Sequence, residues 1–144
     1  MTLGLDLIAT LVLGIYAGSL LTEGVVLVPY WRRLRHADFM RLHGDVGPSL
    51  FRYFAPLTGL AVSLSVLAAL RTPVLFSGRT LAALLCGGAL CTFFAYFKRA
   101  NAAFAAGSLT EAELAPELAR WSTRHWLRTV AVVAAFAAAI AASS

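Results

Sequence analysis

The sequence predicts an all-α integral membrane protein, a bundle of four transmembrane helices in a single domain over residues 1-144. Hydrophobic residues make up 60% of the chain, charged residues make up 13%, and the mean hydropathy is +0.78. Soluble domains carry about 25% charged residues. Four apolar runs are each near or above the ~20 residues that a helix needs to cross a bilayer.

The first apolar run covers about residues 4-30, and the others cover about 48-70, 80-100 and 117-142. The first run follows no basic segment and is longer than the apolar part of a secretory signal, so we expect it to remain as a span. The polar segment WRRLRHADFMRLHGDVGPS comes next. Its spaced apolar residues and many cations predict a short amphipathic helix between spans one and two, which GDVGPS is expected to end.

The fourth helix is expected to begin before its apolar run. Two overlapping helix-start signals precede that run, Ser108 with Glu111 and Thr110 with Glu113. Pro116 then falls in an early turn, where proline is tolerated or causes a kink.

Cations lie almost entirely beside two of the three connections. Five lie in or beside the first connection and five flank the third, which makes ten of the twelve Lys and Arg residues. The positive-inside rule then places both connections in the cytoplasm and both termini outside it, and we expect a bacterial inner-membrane protein. Topology and anionic lipid explain the net charge of +5. We therefore expect the lipid bilayer, and no nucleic acid, as a partner.

Glu23 is a carboxylate within the first span, nine residues before Arg32 and thus about 13 Å deep. An ionisable group at such depth is costly and usually faces the bundle interior at a functional site. Tyr16, Ser19 and Tyr30 are spaced with Glu23 so that all four share one helical face. The alternative is a protonated Glu23 that hydrogen-bonds a neighbouring helix for assembly.

His36 and His43 are seven residues apart and would share a face two turns apart on a helix. One metal usually binds histidines four apart on a straight helix, so this spacing does not predict a shared metal. His43 adjoins the Gly44–Pro48 break and is the stronger site candidate. The alternative for both is a solvated surface histidine.

The segment RWSTRHWLRT opens the last apolar run. Trp121, His125 and Arg128 are spaced four and three residues and line one face, while the other two arginines can reach the headgroups. Arg128 is deeper and needs an anion, for which Glu23 is the candidate if spans one and four are neighbours. An interfacial belt of tryptophan and arginine is the alternative.

Polar candidates from several helices gather at one end of the apolar bundle, as they do in a ligand pocket. A polar rim at the membrane surface is the alternative. The catalytic candidates are His125, Arg128, Asn101, Glu23 and His43. The candidates for substrate contact are Tyr16, Tyr30, Trp121 and Phe97.

Two segments resemble a known family. KRANAAF, followed after fifteen residues by RWSTRHWLRT, resembles the C-terminal half of the DUF1772, or anthrone-oxygenase-like, membrane proteins. In that pattern an Asn after the third span is followed by W-x3-N/H-x2-R at the start of the fourth. The matching positions are Asn101, Trp121, His125 and Arg128. The early layout is similar too, with Pro29 at the end of the first span and Pro56 in the second.

The resemblance implies a four-helix membrane protein, and some members of the family are linked to oxidation of anthrone-type polyketides to quinones by O2. We accordingly predict a membrane-embedded oxidoreductase or oxygenase for a hydrophobic phenolic, anthrone- or quinone-like substrate. A neutral histidine, His125 or His43, would act as general base, and Arg128 and Asn101 would stabilise the enolate. Glu23, His36 and His43 have no assigned place in the family pattern.

Two other classes of function fit the same residues. One is a metal- or haem-binding membrane protein using His36, His43, His125 and Glu23, although the chain has no HxxxH or HExxH motif. The other is a non-enzymatic assembly or transport subunit in which Glu23 relays a proton. For the oxygenase we expect a hydrophobic small molecule as partner and no cofactor. A transport subunit with only four spans would have to form a homo-oligomer.

Overall fold

The computed structural model describes residues 2–72, 74 and 77–142. Every element in this part of the chain is helical, and four helices are long and apolar enough to cross a membrane. We call them spans 1 to 4: Gly4–Trp31, His36–Leu70, Gly78–Ala105 and Glu111–Ala141. The predicted all-α bundle is confirmed, and the length and apolar composition of its four helices are those of an integral membrane protein.

The spans pack in a ring in chain order. Span 1 packs against spans 2 and 4, and span 3 also packs against spans 2 and 4. Large apolar side chains cover the outside, including Leu11, Ile15, Leu84 and Val130, each more than half exposed. An apolar exterior of this kind suits a lipid surround rather than water. Spans 1 and 4 are therefore neighbours, as a contact between Glu23 and Arg128 requires.

Span 2 is one helix of 35 residues, so the prediction of a separate amphipathic helix that ends at GDVGPS is wrong. Pro48 and Pro56 both lie inside this helix. The turns before Pro48 are held by packing, because Phe39 and His43 are buried and both contact the Phe104 ring of span 3. Tertiary packing outweighs the local break signal, as it commonly does for proline in membrane helices.

Spans 1 and 3 each contain a π-helical segment, at Glu23–Leu27 and Phe93–Phe97. The same spans continue as α-helices on both sides of these segments: Thr2–Thr22 and Val28–Trp31 in span 1, and Gly78–Thr92 and Lys98–Ala105 in span 3. A π segment adds residues to a turn and so rotates the face that the following residues present. Both segments therefore change which side chains reach the bundle interior.

The π segment of span 1 breaks the predicted polar stripe. Tyr16 and Glu23 are buried, but Tyr30 is 53% exposed, and the neighbouring Trp31 is buried in its place. The prediction that Tyr30 shares the face of Glu23 is therefore wrong, because one widened turn lies between them. Ser19 is partly buried, and its hydroxyl lies 2.7 Å from the Tyr53 hydroxyl of span 2.

The connections at residues 32–35 and 106–110 lie at one end of the bundle, which we call the basic end. Here the predicted start of the fourth helix is confirmed: Thr110 and Glu113 form a capping box, and span 4 begins at Glu111. Gly107 has a φ of 62°, a conformation that favours glycine. His36 links the two connections, since its Nε2 lies 2.7 Å from the Leu109 carbonyl.

Candidate functional site: a buried Glu–His–Arg cluster

Glu23, His125 and Arg128 meet inside the bundle, between spans 1 and 4. Glu23 Oε2 lies 3.5 Å from His125 Nδ1 and 3.5 Å from Arg128 Nη2. The side chains are 6%, 0% and 10% exposed in that order. We call these three residues the Glu–His–Arg cluster. Glu23 and Arg128 are charged groups this deeply buried and need partners of opposite charge, which they provide for each other.

The neighbours of His125 fix its tautomer. Arg128 Nη2 lies 3.0 Å from Nδ1, and a guanidinium only donates hydrogen bonds, so Nδ1 carries the lone pair. The Leu20 carbonyl lies 2.9 Å from Nε2 and only accepts, so Nε2 carries the hydrogen. Thr129 Oγ1 is 3.3 Å from Nε2 and donates to the His125 carbonyl. The ring is thus a neutral imidazole whose lone pair faces Glu23 and Arg128.

Gly24 allows this close contact between the helices. A Cβ at this position would lie 3.2 Å from His125 Nε2 and 3.1 Å from Trp126 Cζ2. Gly24 is buried within the π segment that begins with Glu23. The widened turn and the missing side chain together bring the backbone of span 1 against the imidazole.

Aromatic rings surround the cluster. Trp121 stacks on His125 with ring centroids 5.0 Å apart and planes inclined by 7°. Its indole nitrogen donates to Asn101 Oδ1 at 2.8 Å. The Arg128 guanidinium lies 4.2 Å from the centre of the Phe97 ring, the last residue of the second π segment. A cation over an aromatic face at this distance is attracted to it.

The other face of span 4 points away from the cluster. Arg124 is exposed and lies 4.1 Å from the centre of the Tyr96 ring. Arg120 pairs with Glu117, which also accepts from the Tyr96 hydroxyl. The arginines of RWSTRHWLRT are therefore divided between an interior role and an outer role, as their spacing predicts.

Two buried atoms of the cluster have no hydrogen-bond partner among the described residues: Glu23 Oε2 and Arg128 Nε. The 3.5 Å contact of Oε2 with Arg128 is an ion pair without hydrogen-bond geometry, and its 3.5 Å contact with the neutral His125 is not a hydrogen bond either. One atom is an acceptor and the other is a donor. Buried polar atoms are nearly always paired. A hydroxyl group suits this place because it donates through its hydrogen and accepts through its oxygen.

His43 lies outside the cluster but is linked to it by rings. Its ring centroid is 4.7 Å from that of Trp31, which is 5.7 Å from that of Trp121, the ring that stacks on His125. His43 also lines an apolar cavity of about 140 Å³ together with Tyr30, Trp31, Val46 and three leucines. The sequence candidates thus form two neighbouring sites: the cluster and this cavity.

The residues named as metal ligands do not form a metal site. No group of three or more His, Cys, Asp or Glu that could hold a metal occurs in the part of the chain that the structure describes. His125 and Glu23 are adjacent, but His36 contacts the Leu109 carbonyl and His43 is held among aromatic rings. Two adjacent ligands fall short of the three that a catalytic zinc site uses.

Sequence reasoning missed three residues of the site. Thr129 is four residues after His125, and Gly24 directly follows Glu23, so helical spacing and adjacency could have found both. Trp31 gave a weaker signal, because α-helical spacing places Tyr30, seven residues after Glu23, nearer the centre of the Glu23 face than Trp31, eight residues after it. The π segment between Glu23 and Trp31 rotates Trp31 further towards the interior, where it is buried.

No protein-family model, curated protein or solved structure matches the chain. The chemistry of the site therefore follows from its geometry. A neutral imidazole, a carboxylate and a guanidinium in an apolar surround can move a proton and stabilise an oxyanion.

Proposed function

We propose that the chain is a membrane-embedded oxidoreductase of the oxygenase class, acting on a hydrophobic phenolic, anthrone- or quinone-like substrate. One observation carries the proposal. A buried acceptor, Glu23 Oε2, and a buried donor, Arg128 Nε, both lie beside the neutral His125, and neither has a hydrogen-bond partner among the described residues. A phenolic or enolic hydroxyl would donate to the first and accept from the second. The resemblance to the DUF1772 membrane proteins supports the same substrate class.

Proton removal is the first step of the proposed reaction. The base is His125, whose Nδ1 carries the lone pair. Arg128 Nη2 donates to this lone pair before the reaction, so that hydrogen bond breaks as Nδ1 takes the proton and the guanidinium turns to the substrate oxygen. Glu23, 3.5 Å from Nδ1, passes the proton from the substrate hydroxyl to the ring. The negative charge left on the substrate oxygen is stabilised by Arg128 in a site from which water is excluded.

Reaction with O2 then follows from the electron-rich enolate. The enolate carbon gives two electrons to O2 as a C–O bond forms, and the resulting peroxide loses water to leave a carbonyl. One anthrone, bound as its enol tautomer, and one O2 thus give one quinone and one water. The substrate is oxidised, O2 is reduced, and the proton held by His125 returns in the water.

The remaining residues position these groups. Asn101 Oδ1 accepts from the Trp121 indole, so we assign Asn101 to orienting Trp121 rather than to stabilising the enolate. Trp121 holds the plane of His125, and Phe97 lies against Arg128. Tyr16 is buried in the apolar core of the bundle and forms part of its wall. A flat substrate would enter from the bilayer.

The test is O2 uptake by the purified protein with an anthrone or a related phenol. His125→Ala and Arg128→Ala are expected to lower the rate by about 100-fold or more, as removal of an oxyanion donor does. Arg124→Ala is the matched control, since Arg124 lies on the outer face of the same helix. Normal turnover by both folded interior variants would overturn the proposal.

A second candidate is a proton relay for transport, which the adjacent, buried Glu23 and His125 favour. It requires proton movement across liposomes without any oxidisable substrate. Loss of that movement in Glu23→Gln, with no O2 uptake by the native protein, would select the relay over the oxygenase. We further propose that the basic end faces the cytoplasm of a bacterial inner membrane, following the positive-inside rule.

A further inference from the structure

We propose that the cavity beside His43 is a second, separate binding site that takes the phenolic ring of a membrane-dissolved compound, with the hydroxyl donating to His43 Nε2. The site lies between span 1 and the first turns of span 2 and shares no residue with the Glu–His–Arg cluster. Binding there is independent of the proposed function, and only the role of the bound compound as substrate rests on it.

The size of the cavity indicates the ligand. Its volume is about 140 Å³. An apolar protein cavity that binds benzene has a similar volume, about 150 Å³. One six-membered ring fits, whereas a fused ring system would leave the rest of its surface outside. Tyr30 and Val46 are 53% and 39% exposed, so the cavity opens on the outer surface of the bundle, where lipid supplies apolar compounds.

The only histidine in the cavity wall identifies the hydrogen-bonding group of the ligand. His43 Nδ1 lies 3.2 Å from the Phe39 carbonyl, which only accepts, so Nδ1 carries the hydrogen. The lone pair of the neutral ring is then on Nε2. No described residue hydrogen-bonds to Nε2, although His43 is only 8% exposed. The other polar side chain of the wall, Tyr30, has a hydroxyl that both donates and accepts. His43 Nε2 only accepts, so it selects a ligand that donates.

The imidazole is held firmly enough to select a ligand. Phe39 stacks on it with centroids 4.0 Å apart, and Trp31 meets it edge-on at 4.7 Å. Phe104 closes a third side at 5.6 Å. A ring with three aromatic neighbours and a backbone hydrogen bond is preorganised, so little orientational freedom is lost when a ligand binds.

Trp31 connects the two sites. It lines the cavity on one side and lies 5.7 Å from Trp121 on the other, and Trp121 covers His125. A compound in the cavity is thus separated from the Glu–His–Arg cluster by two indole rings.

The probes are p-cresol and toluene, which have the same ring and methyl group but differ in the hydroxyl. Each is titrated into the full-length protein in lipid nanodiscs, with concentration expressed per lipid, while the histidine ¹⁵N resonances are followed. We expect p-cresol to bind about tenfold more tightly than toluene, as one net hydrogen bond allows, and to shift the His43 Nε2 resonance. Equal affinity for the two compounds would overturn the proposal.

Three variants locate the site. His43→Phe is expected to bind p-cresol and toluene equally, while His36→Phe, the same change two turns earlier outside the cavity, keeps the tenfold preference. Val46→Phe is expected to fill the cavity and lose both ligands, and it should fold because Val46 is partly exposed. A preference retained in folded His43→Phe would contradict the proposal. Binding of cyclohexanol as tight as that of p-cresol would contradict the phenolic class.

His125→Ala separates this inference from the proposed function. The variant is expected to bind p-cresol normally and to lose O2 uptake. If the native protein binds p-cresol at His43 but consumes no O2, the proposed function fails and the site stands. If O2 uptake is normal and no hydroxyl preference is found, the inference about the cavity fails alone.

Discussion

The guanidinium of Arg128 has hydrogen-bond donors in two different situations. Its Nη2 contacts His125 and approaches Glu23, while its Nε has no described hydrogen-bond partner. The Nη2 contact places the imidazole lone pair on Nδ1, and Nε remains as a donor for an oxygen atom of a ligand. Helical spacing was enough to predict that Arg128 and His125 share a face, and the depth of Arg128 made Glu23 its candidate anion. It could not give the tautomer, which depends on the Leu20 carbonyl of another span.

Removing either charge of the buried pair should destabilise the protein. Glu23→Gln leaves the Arg128 charge without its carboxylate, and Arg128→Gln leaves the Glu23 carboxylate without a cation. Each change is expected to lower the free energy of unfolding by about 3 kcal/mol. The double variant should lose clearly less than the sum, because no uncompensated charge remains. Unfolding of the four proteins by heat in detergent measures this coupling. Strictly additive losses would show that the two charges do not interact.

The lysine substitution separates charge from geometry at the same position. Arg128→Lys keeps the positive charge but lacks the planar fork with which Arg128 reaches His125 and an oxygen at once. We expect near-native thermal stability and an O2-uptake rate lowered by about 100-fold. Arg124→Lys is the control and should keep both properties. A fully active Arg128→Lys would mean that charge alone suffices.

The two π segments determine which residues of spans 1 and 3 reach the site. Glu23 is the first residue of one segment, and Phe97 is the last residue of the other; both contact Arg128. Such segments are often found at functional sites. The number of spans and the start of span 4 at the Thr110 cap could be predicted from the sequence. The π segments and the unbroken span 2 could not, because packing against other spans decides them.

Gly24→Ala tests the close approach of span 1 to the imidazole. The new methyl group would lie 3.2 Å from His125 Nε2, so His125 or the backbone must shift. We expect a loss of about 1–3 kcal/mol in unfolding free energy, together with most of the activity. Gly18→Ala is the control, since nothing lies within 4 Å of its added Cβ. It should be neutral or slightly stabilising in a helix. Equal effects of the two changes would contradict the contact.

At the scale of the whole molecule, the positions of the charges predict the orientation. The basic end carries most of the cations, while the opposite end carries the Asp6–Arg79 ion pair at 2.9 Å. The chain has an exposed cysteine, Cys91, and a buried one, Cys86. With Cys91 replaced by serine, Ser108→Cys should react with a membrane-impermeant maleimide only in inverted vesicles. Val74→Cys should react only in right-side-out vesicles. The reverse pattern would place the basic end outside the cytoplasm.

The bundle as a whole brings a base, a carboxylate and an oxyanion donor together in an apolar surround, and the central claim is that these groups ionise a phenolic substrate. The direct test is to mix the substrate with the protein without O2 and to follow the visible absorption of the enolate. We predict that the enolate band forms with the native protein and with Arg124→Ala, and does not form with His125→Ala. Equal bands in the native protein and His125→Ala, or no band in either, would contradict the claim.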